Sequence, residues 1–167
     1  QYRTLQHAGF SPQFTAGHSF GELTALWAAG VYDDATFLKL AKTRGEAMAI
    51  DNPDEDTGAM LAVKAPEQDV ADAIKNITGV QIANVNSNKQ VVLGGSTSAI
   101  KSAEEQLKAN GFSVVPLAVA AAFHTEFVKH AQVPFSKFVH SQKFNTPSIP
   151  VYSNTTGTVY PSNLNDL

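Results

Sequence analysis

Gly17-His18-Ser19-Phe20-Gly21, followed directly by Glu22, has the spacing of a chemical site. It reads G-x-S-x-G, the pattern of a strand-to-helix turn that lifts a serine hydroxyl clear of the backbone as a nucleophile. Both flanking positions, Gly17 and Gly21, are expected to have to be small, because the chain turns sharply and neighbouring segments approach closely. Ser19 is expected in a strained conformation, with the N–H groups of the next helix turn unpaired behind it. By themselves the five residues also fit a glycine-rich turn with a passive serine.

A serine at its ordinary pKa needs a general base within hydrogen-bond reach. The chain has five histidines: His7, His18, His124, His130 and His140. His18 abuts the nucleophile, so its side chain should point elsewhere. His7 falls at a helix end, and His130 and His140 fall on an amphipathic helix. His124 stands where an apolar segment ends and a helix begins, a loop position suited to a catalytic group. A lone histidine is more often structural, so position leaves both readings of His124 open. No acid stands out as a third member: Glu126 follows too closely, and Asp33 and Asp34 read as helix caps. A backbone carbonyl could orient the imidazole instead. Arg44 lies on a mostly apolar helix beside Gly45. It either lays its stem over apolar surface or clamps a substrate carboxylate in two-pronged fashion.

The elements around these residues come in the required order. Gln13-Phe14-Thr15-Ala16 reads as a short buried strand, and residues 22–29 form a run of good helix formers with Gly30 as C-cap. Asp33-Asp34-Ala35-Thr36 opens a helix to about Ile50, and residues 51–57, with Pro53, read as a loop. Residues 58–117 have their own rhythm. They run strand 59–63, helix from Pro66-Glu67 to about Ile77, strands 80–86 and 90–94 joined by Ser87-Asn88-Lys89, helix 96–109, then strand 113–117. That β-α-β-β-α-β order is ferredoxin-like, with two helices on one face of a four-stranded antiparallel sheet. A small-residue run, 118–123, leads to His124 and a helix through about Ser141, which Pro134 kinks or restarts. Pro147 and Pro150 bracket a turn before strand Val151-Tyr152-Ser153, which closes at Asn154.

Composition narrows the classes. The 167 residues fit one domain, or one domain carrying a small insertion, and 43% hydrophobic with 16% charged residues suits a well-packed globular protein. The net charge of −3, without blocks of like charge, points away from nucleic acid and anionic membranes. The absence of cysteine removes disulfides, thiol catalysis and cysteine-based metal sites, and no metal is expected. No apolar run has transmembrane length and no signal peptide opens the chain, so a cytoplasmic location is the default expectation. The chain opens within a helix without an initiator methionine and stops at Asn165-Asp166-Leu167, and it reads as a segment of something longer.

Three stretches resemble malonyl-CoA:acyl carrier protein transacylases: residues 17–22, Thr43-Arg44-Gly45-Glu46-Ala47-Met48, and Gly58-Ala59-Met60. Asn84-Val85-Asn86-Ser87, Gln90-Val91-Val92-Leu93-Gly94-Gly95 and Ala122-Phe123-His124-Thr125 extend the match in order. The wording from Gly17 to Trp27 resembles the acyltransferase domain of polyunsaturated fatty acid synthases, which are polyketide-synthase-like. The resemblance implies an α/β-hydrolase-like core at 1–57 and 118–167 with a ferredoxin-like subdomain at 58–117. It implies Ser19 as the acylated nucleophile, His124 as its base and Arg44 as the clamp on the malonyl carboxylate. One oxyanion-hole donor would be the Phe20 N–H. His18, Phe123 and Asn86 would line the pocket, and the Asn154 main-chain carbonyl would orient the histidine. Ala122 replaces the histidine usual before Phe123, which bears on strict extender selectivity. The family's second oxyanion donor sits on an N-terminal glycine- and glutamine-rich loop that these residues do not include, so they are expected to transfer poorly alone. The implied substrate is malonyl-CoA, with no bound cofactor. The implied partners are the phosphopantetheine of an acyl carrier protein and neighbouring synthase domains such as a ketosynthase. A serine esterase or thioesterase, or a non-catalytic carrier-protein docking module, are the alternatives.

Overall fold

A computed structural model describes residues 1–49 and 54–161. The expected helix end at Ile50, the loop residue Pro53 and the terminal Asn165-Asp166-Leu167 lie outside the described residues. The chain forms two compact units, Gln1–Ala47 with Val133–Leu167, and Met48–Gln132.

In the first unit, α1 (Tyr2–His7) precedes a parallel pair of short strands, β1 (Thr15–Ala16) and β6 (Val151–Tyr152), with Thr15 opposite Val151. The strand expected over 13–16 is confined to its last two residues, since only these pair. Between the strands in sequence come α2 (Phe20–Ala28), α3 (Asp34–Met48) and α6 (Gln132–His140). The end of α2 corrects the expected cap. Ala29 is the C-cap, and Gly30 follows it at φ +80°. Val31 N–H reaches back to Leu26 O and Gly30 N–H to Trp27 O, a Schellman closure that needs a left-handed residue after the cap. Asp33 does cap α3, its Oδ1 accepting from Thr36 N–H at 2.8 Å. Asp34 instead faces α2 and α1, where its Oδ1 accepts from Trp27 Nε1 at 2.8 Å and pairs with Arg3. Val31, Tyr32 and Leu40 are buried against Phe37, Phe135, Phe138 and Phe144, while Ala25, Ala29 and Val151 join α2 to β6.

The second unit is a four-stranded antiparallel sheet of β2 (Ala59–Val63), β3 (Val80–Ser87), β4 (Gln90–Gly95) and β5 (Val114–Leu117), in the order β3-β4-β2-β5. α4 (Glu67–Ile74) follows β2 and α5 (Thr97–Ala109) follows β4. Strand alternation sorts the side chains. Leu61, Val63, Val91 and Leu93 point to one face and pack with Val70 and Ile74 of α4 and Ile100, Ala103 and Leu107 of α5. Met60 and Val92 point to the other face, where Ala122 and Phe127 cover them. That second cover explains why the unit runs on to Gln132 rather than stopping near 117. The helix expected after His124 is split: a 3₁₀ turn, Glu126–Ala131, comes first and α6 starts afresh at Gln132. Pro134 then sits in the first turn of α6, where its missing N–H breaks no intrahelical bond.

Candidate active site

Ser19 occupies the turn between β1 and α2 at φ +56°, ψ −114°, a conformation that costs a non-glycine residue about 1–3 kcal/mol. A Cβ at Gly17 would overlap the carbonyl of Gly21, so position 17 admits glycine alone. Gly21 differs from the expectation, because a Cβ there meets nothing within 4 Å. Crowding is thus one-sided: the start of the turn runs over its end, and the end faces open space. The N–H groups of Gly21 and Glu22 are taken by the carbonyls of His18 (2.8 Å) and Ser19 (3.1 Å). The expectation of unpaired N–H groups in this turn thus fails for these two, which tight local bonds satisfy, and the Phe20 N–H comes before both.

Arg44, in the C-terminal half of α3, brings its Nη2 to 3.1 Å from Ser19 Oγ, donating to it. Its guanidinium lies 5.9 Å from the centre of the Phe20 ring, and that ring rests on Phe37 at 6.0 Å. The cation is half-buried, and desolvation lowers its pKa from the ordinary arginine value while leaving it charged. Of the two readings of Arg44, a stem laid over apolar surface or a clamp on a substrate carboxylate, neither included this contact of its head group with the serine hydroxyl. Phe20 was expected to contribute only its amide, yet its side chain is also the platform under Arg44. A cation-over-ring contact between residues 24 apart leaves no trace in local sequence pattern.

Glu22 carries a second contact that local pattern does not reveal. Its Oε1 accepts the Asn154 N–H at 2.8 Å and lies 3.5 Å from the Tyr160 hydroxyl. Asn154 therefore stands just beyond β6, tied to the first turn of the helix that follows Ser19. His18 is exposed and gives its carbonyl to the turn.

His124 belongs to the second unit. It is exposed, sits at φ +62° and gives its carbonyl to Gln81 Nε2 at 3.4 Å. The loop that carries it is held from both sides. Thr125 Oγ1 donates to Ala122 O and accepts from Phe127 N–H, which caps the 3₁₀ turn. A Cβ at Gly94 would come within 2.6 Å of Thr125 Cγ2, so the glycine of β4 lets this loop lie on the sheet. Among the described residues, Ser19 and His124 are the two non-glycine residues with positive φ. Phe123 is half-buried in the same loop, packed with Met60 and Val92. Asn86 lies at the β3–β4 hairpin, exposed, with its Nδ2 3.4 Å from Gln90 Oε1.

A hollow of about 470 Å³ in the first unit is lined by Leu23, Leu26, Tyr32, Leu40, Phe144 and Tyr160 among others, and neither Ser19 nor Arg44 borders it. Among the described residues no three His, Asp or Glu gather as metal ligands, and no helix is long and apolar enough to cross a membrane.

The family described as acyl transferase domain matches residues 1–162. The malonyl CoA-acyl carrier protein transacylase of Synechocystis is 38% identical over 90% of this chain and 50% of its own length. The polyunsaturated fatty acid synthase of Thraustochytrium contains a polypeptide 34% identical over 99% of this chain, a match that takes up 6% of that polypeptide. Among solved structures, the malonyl CoA-acyl carrier protein transacylase of Burkholderia pseudomallei superposes with a TM-score of 0.87 at 32% identity, over 99% of this chain and 57% of its own. A malonyl-transacylase solved in complex with its holo type II polyketide acyl-carrier protein gives 0.86 at 32% identity, over 96% of this chain and 54% of its own. The chain spans about half the length of the stand-alone transacylases it matches. With its mixed α/β fold matching these structures throughout, the chain belongs to the acyl transferase domain family.

Proposed function

We propose that this chain carries the nucleophile, base and carboxylate clamp of a malonyl-CoA:acyl carrier protein acyltransferase acting in fatty acid or polyketide-type synthesis. The observation that carries the reading is the Arg44 guanidinium 3.1 Å from Ser19 Oγ. A cation at the nucleophile is of little use to an esterase of neutral acyl groups, and it suits an acyl group that ends in a carboxylate. The positive φ at both Ser19 and His124 supports their roles, since strain of this kind collects at working residues. The pairing of the two rests on the residue pattern shared with the family. The strand order β3-β4-β2-β5 supports a ferredoxin-like subdomain at 58–117, while the α/β-hydrolase-like core at 1–57 and 118–167 rests on the resemblance to the family.

In the first half-reaction His124 takes the Ser19 proton while Oγ bonds to the thioester carbonyl carbon of malonyl-CoA. The oxyanion is held by the Phe20 N–H and one further donor. The C–S bond then breaks, the proton passes from His124 to the CoA thiolate, and a malonyl-serine ester remains. The phosphopantetheine thiol of an acyl carrier protein reverses these steps and carries the malonyl group away, so the cycle is ping-pong. The Asn154 carbonyl orients His124, and His18, Phe123 and Asn86 border the acyl pocket. Neighbouring synthase domains supply the carrier protein and consume its product. Intact-mass measurement after mixing with malonyl-CoA tests this. A lasting malonyl ester, absent from Ser19→Ala and discharged by holo acyl carrier protein, is expected. Rapid hydrolysis without carrier protein would make the site an esterase, and no acylation would leave a docking module.

A further inference from the structure

We infer that Thr125 is a positioning residue that fixes the backbone of His124; the consequence for acylation rests on the reading of His124 as the general base. His124 is exposed and holds φ +62°, a left-handed conformation that a non-glycine residue keeps where its surroundings enforce it. The enforcement comes from one hydroxyl. Thr125 Oγ1 donates to Ala122 O, which closes a loop around Phe123 and His124, and it accepts from Phe127 N–H at 3.3 Å. The first bond holds the entry to the left-handed residue, and the second holds its exit into the 3₁₀ turn.

What Thr125 grips is itself fixed. Ala122 is 0% exposed, packs with Met60 and Val92, and donates its N–H to Thr57 O at 2.9 Å. A Cβ at Gly58 would come within 2.6 Å of the Ala122 Cβ, so the entry to β2 closes on it as well. The hydroxyl thus ties an exposed residue to the buried part of the sheet. The Thr125 methyl has a separate seat. A Cβ at Gly94 would come within 2.6 Å of Thr125 Cγ2, while its next neighbour, Ala83 Cβ, would stand at an ordinary 3.5 Å. Gly94 therefore leaves a notch in β4 that takes this methyl. Gln81 Nε2 also donates to His124 O, but at 3.4 Å that bond is too long to hold the turn alone. All of these residues belong to Met48–Gln132, so the hold on His124 is made within one unit.

Hydroxyl and methyl can be separated by substitution in the full protein. Thr125→Val keeps the branched shape and loses both bonds, whereas Thr125→Ser keeps both bonds and loses the methyl. Val should lower the rate of Ser19 acylation at saturating malonyl-CoA by roughly ten-fold, since a misplacement of about 1 Å can cost up to about a hundred-fold. KM for malonyl-CoA should not change, because Arg44 and the serine turn lie in the other unit, and the nuclear magnetic resonances of the His124 imidazole should move. Ser should stay near wild type in all three. Gly94→Ala is an independent variant: its new methyl meets Thr125 Cγ2 and should reproduce the loss. Combining it with Thr125→Ser, which removes the methyl it meets, should restore acylation. Imidazole resonances unmoved by Val, or a loss by Ser equal to that of Val, overturns the positioning role. So does a double variant no better than Gly94→Ala alone. Wild-type acylation by His124→Ala would instead remove His124 as the base, and the imidazole resonances would then decide alone whether Thr125 holds it. Should Thr125→Val fail to fold, the Gly94 pair decides.

Discussion

At Ser19 two demands meet in one residue. Its backbone must turn through a left-handed conformation to expose the hydroxyl, and the hydroxyl then accepts from Arg44 Nη2. A substrate carboxylate would compete for that guanidinium, leaving Oγ to its base once the acyl group is seated. Arg44→Ala should therefore lower the ratio of kcat/KM for malonyl-CoA over acetyl-CoA by roughly ten- to a hundred-fold, the worth of a charged hydrogen bond or two. An unchanged ratio would remove Arg44 from the carboxylate site. The two glycines of the turn should separate cleanly. Gly17→Ala forces a clash with the Gly21 carbonyl and should cost several kcal/mol or abolish folding. Gly21→Ala meets open space within a helix and should hold or raise the thermal midpoint, Ala being about 1 kcal/mol better there. Sequence alone made these glycines equivalent, because a G-x-S-x-G pattern does not say which end of the turn the chain crosses.

Individual elements were read with varying success for physical reasons. Helices with caps and strands with strict alternation were legible: β2 spans the expected 59–63, and Ser96 caps α5 with its Oγ accepting from Ala99 N–H. Elements fixed by partners were not. β1 is two residues long because only Thr15 and Ala16 find a mate in β6, and α4 ends at Ile74 rather than near 77. One tie between elements had no signal in sequence. Asp56 accepts from the Thr97 hydroxyl, the Thr97 N–H at 2.9 Å and the Gly58 N–H at 2.9 Å, fastening the start of α5 to the entry of β2. Thr97's hydroxyl first, then its N–H and that of Gly58, hold the Asp56 carboxyl below the usual range. The folded state thus binds that proton less readily than the unfolded chain. Its stabilisation is complete above the unfolded carboxylate's pKa and fades as pH falls through the lower folded value. Asp56→Ala should cost up to about 1 kcal/mol at neutral pH, and its denaturation midpoint should converge on wild type in acid.

For the molecule as a whole, the two units differ in what holds them. Met48–Gln132 has a four-stranded sheet with Leu61, Val63, Val91 and Leu93 on one face, each 0% exposed, and a cover on the other. Among the described residues, the first unit has a two-stranded parallel sheet, an arrangement that is marginal without helices packed on it. Residues 48–132 produced alone should therefore unfold cooperatively on heating, followed by far-ultraviolet circular dichroism. Leu93→Ala in that unit should cost about 2–5 kcal/mol by leaving a cavity between the sheet and its helices. A non-cooperative melt of residues 48–132 would contradict this account of the core.

Residue types and their spacing fix the local chemistry and the local elements: a strained serine at a strand–helix turn, a histidine at a loop, an arginine on an apolar helix, and the β-α-β-β-α-β order. These depend on neighbours a few residues away, through backbone sterics, capping and side-chain period. Packing in three dimensions is what makes Arg44 donate to Ser19, sets the Phe20 ring under the guanidinium, has Glu22 accept from the Asn154 N–H, and lays the run after β5 over the sheet's second face. Those are contacts between residues distant in sequence. Their existence depends on how strands pair and helices pack, which residue types alone leave undetermined.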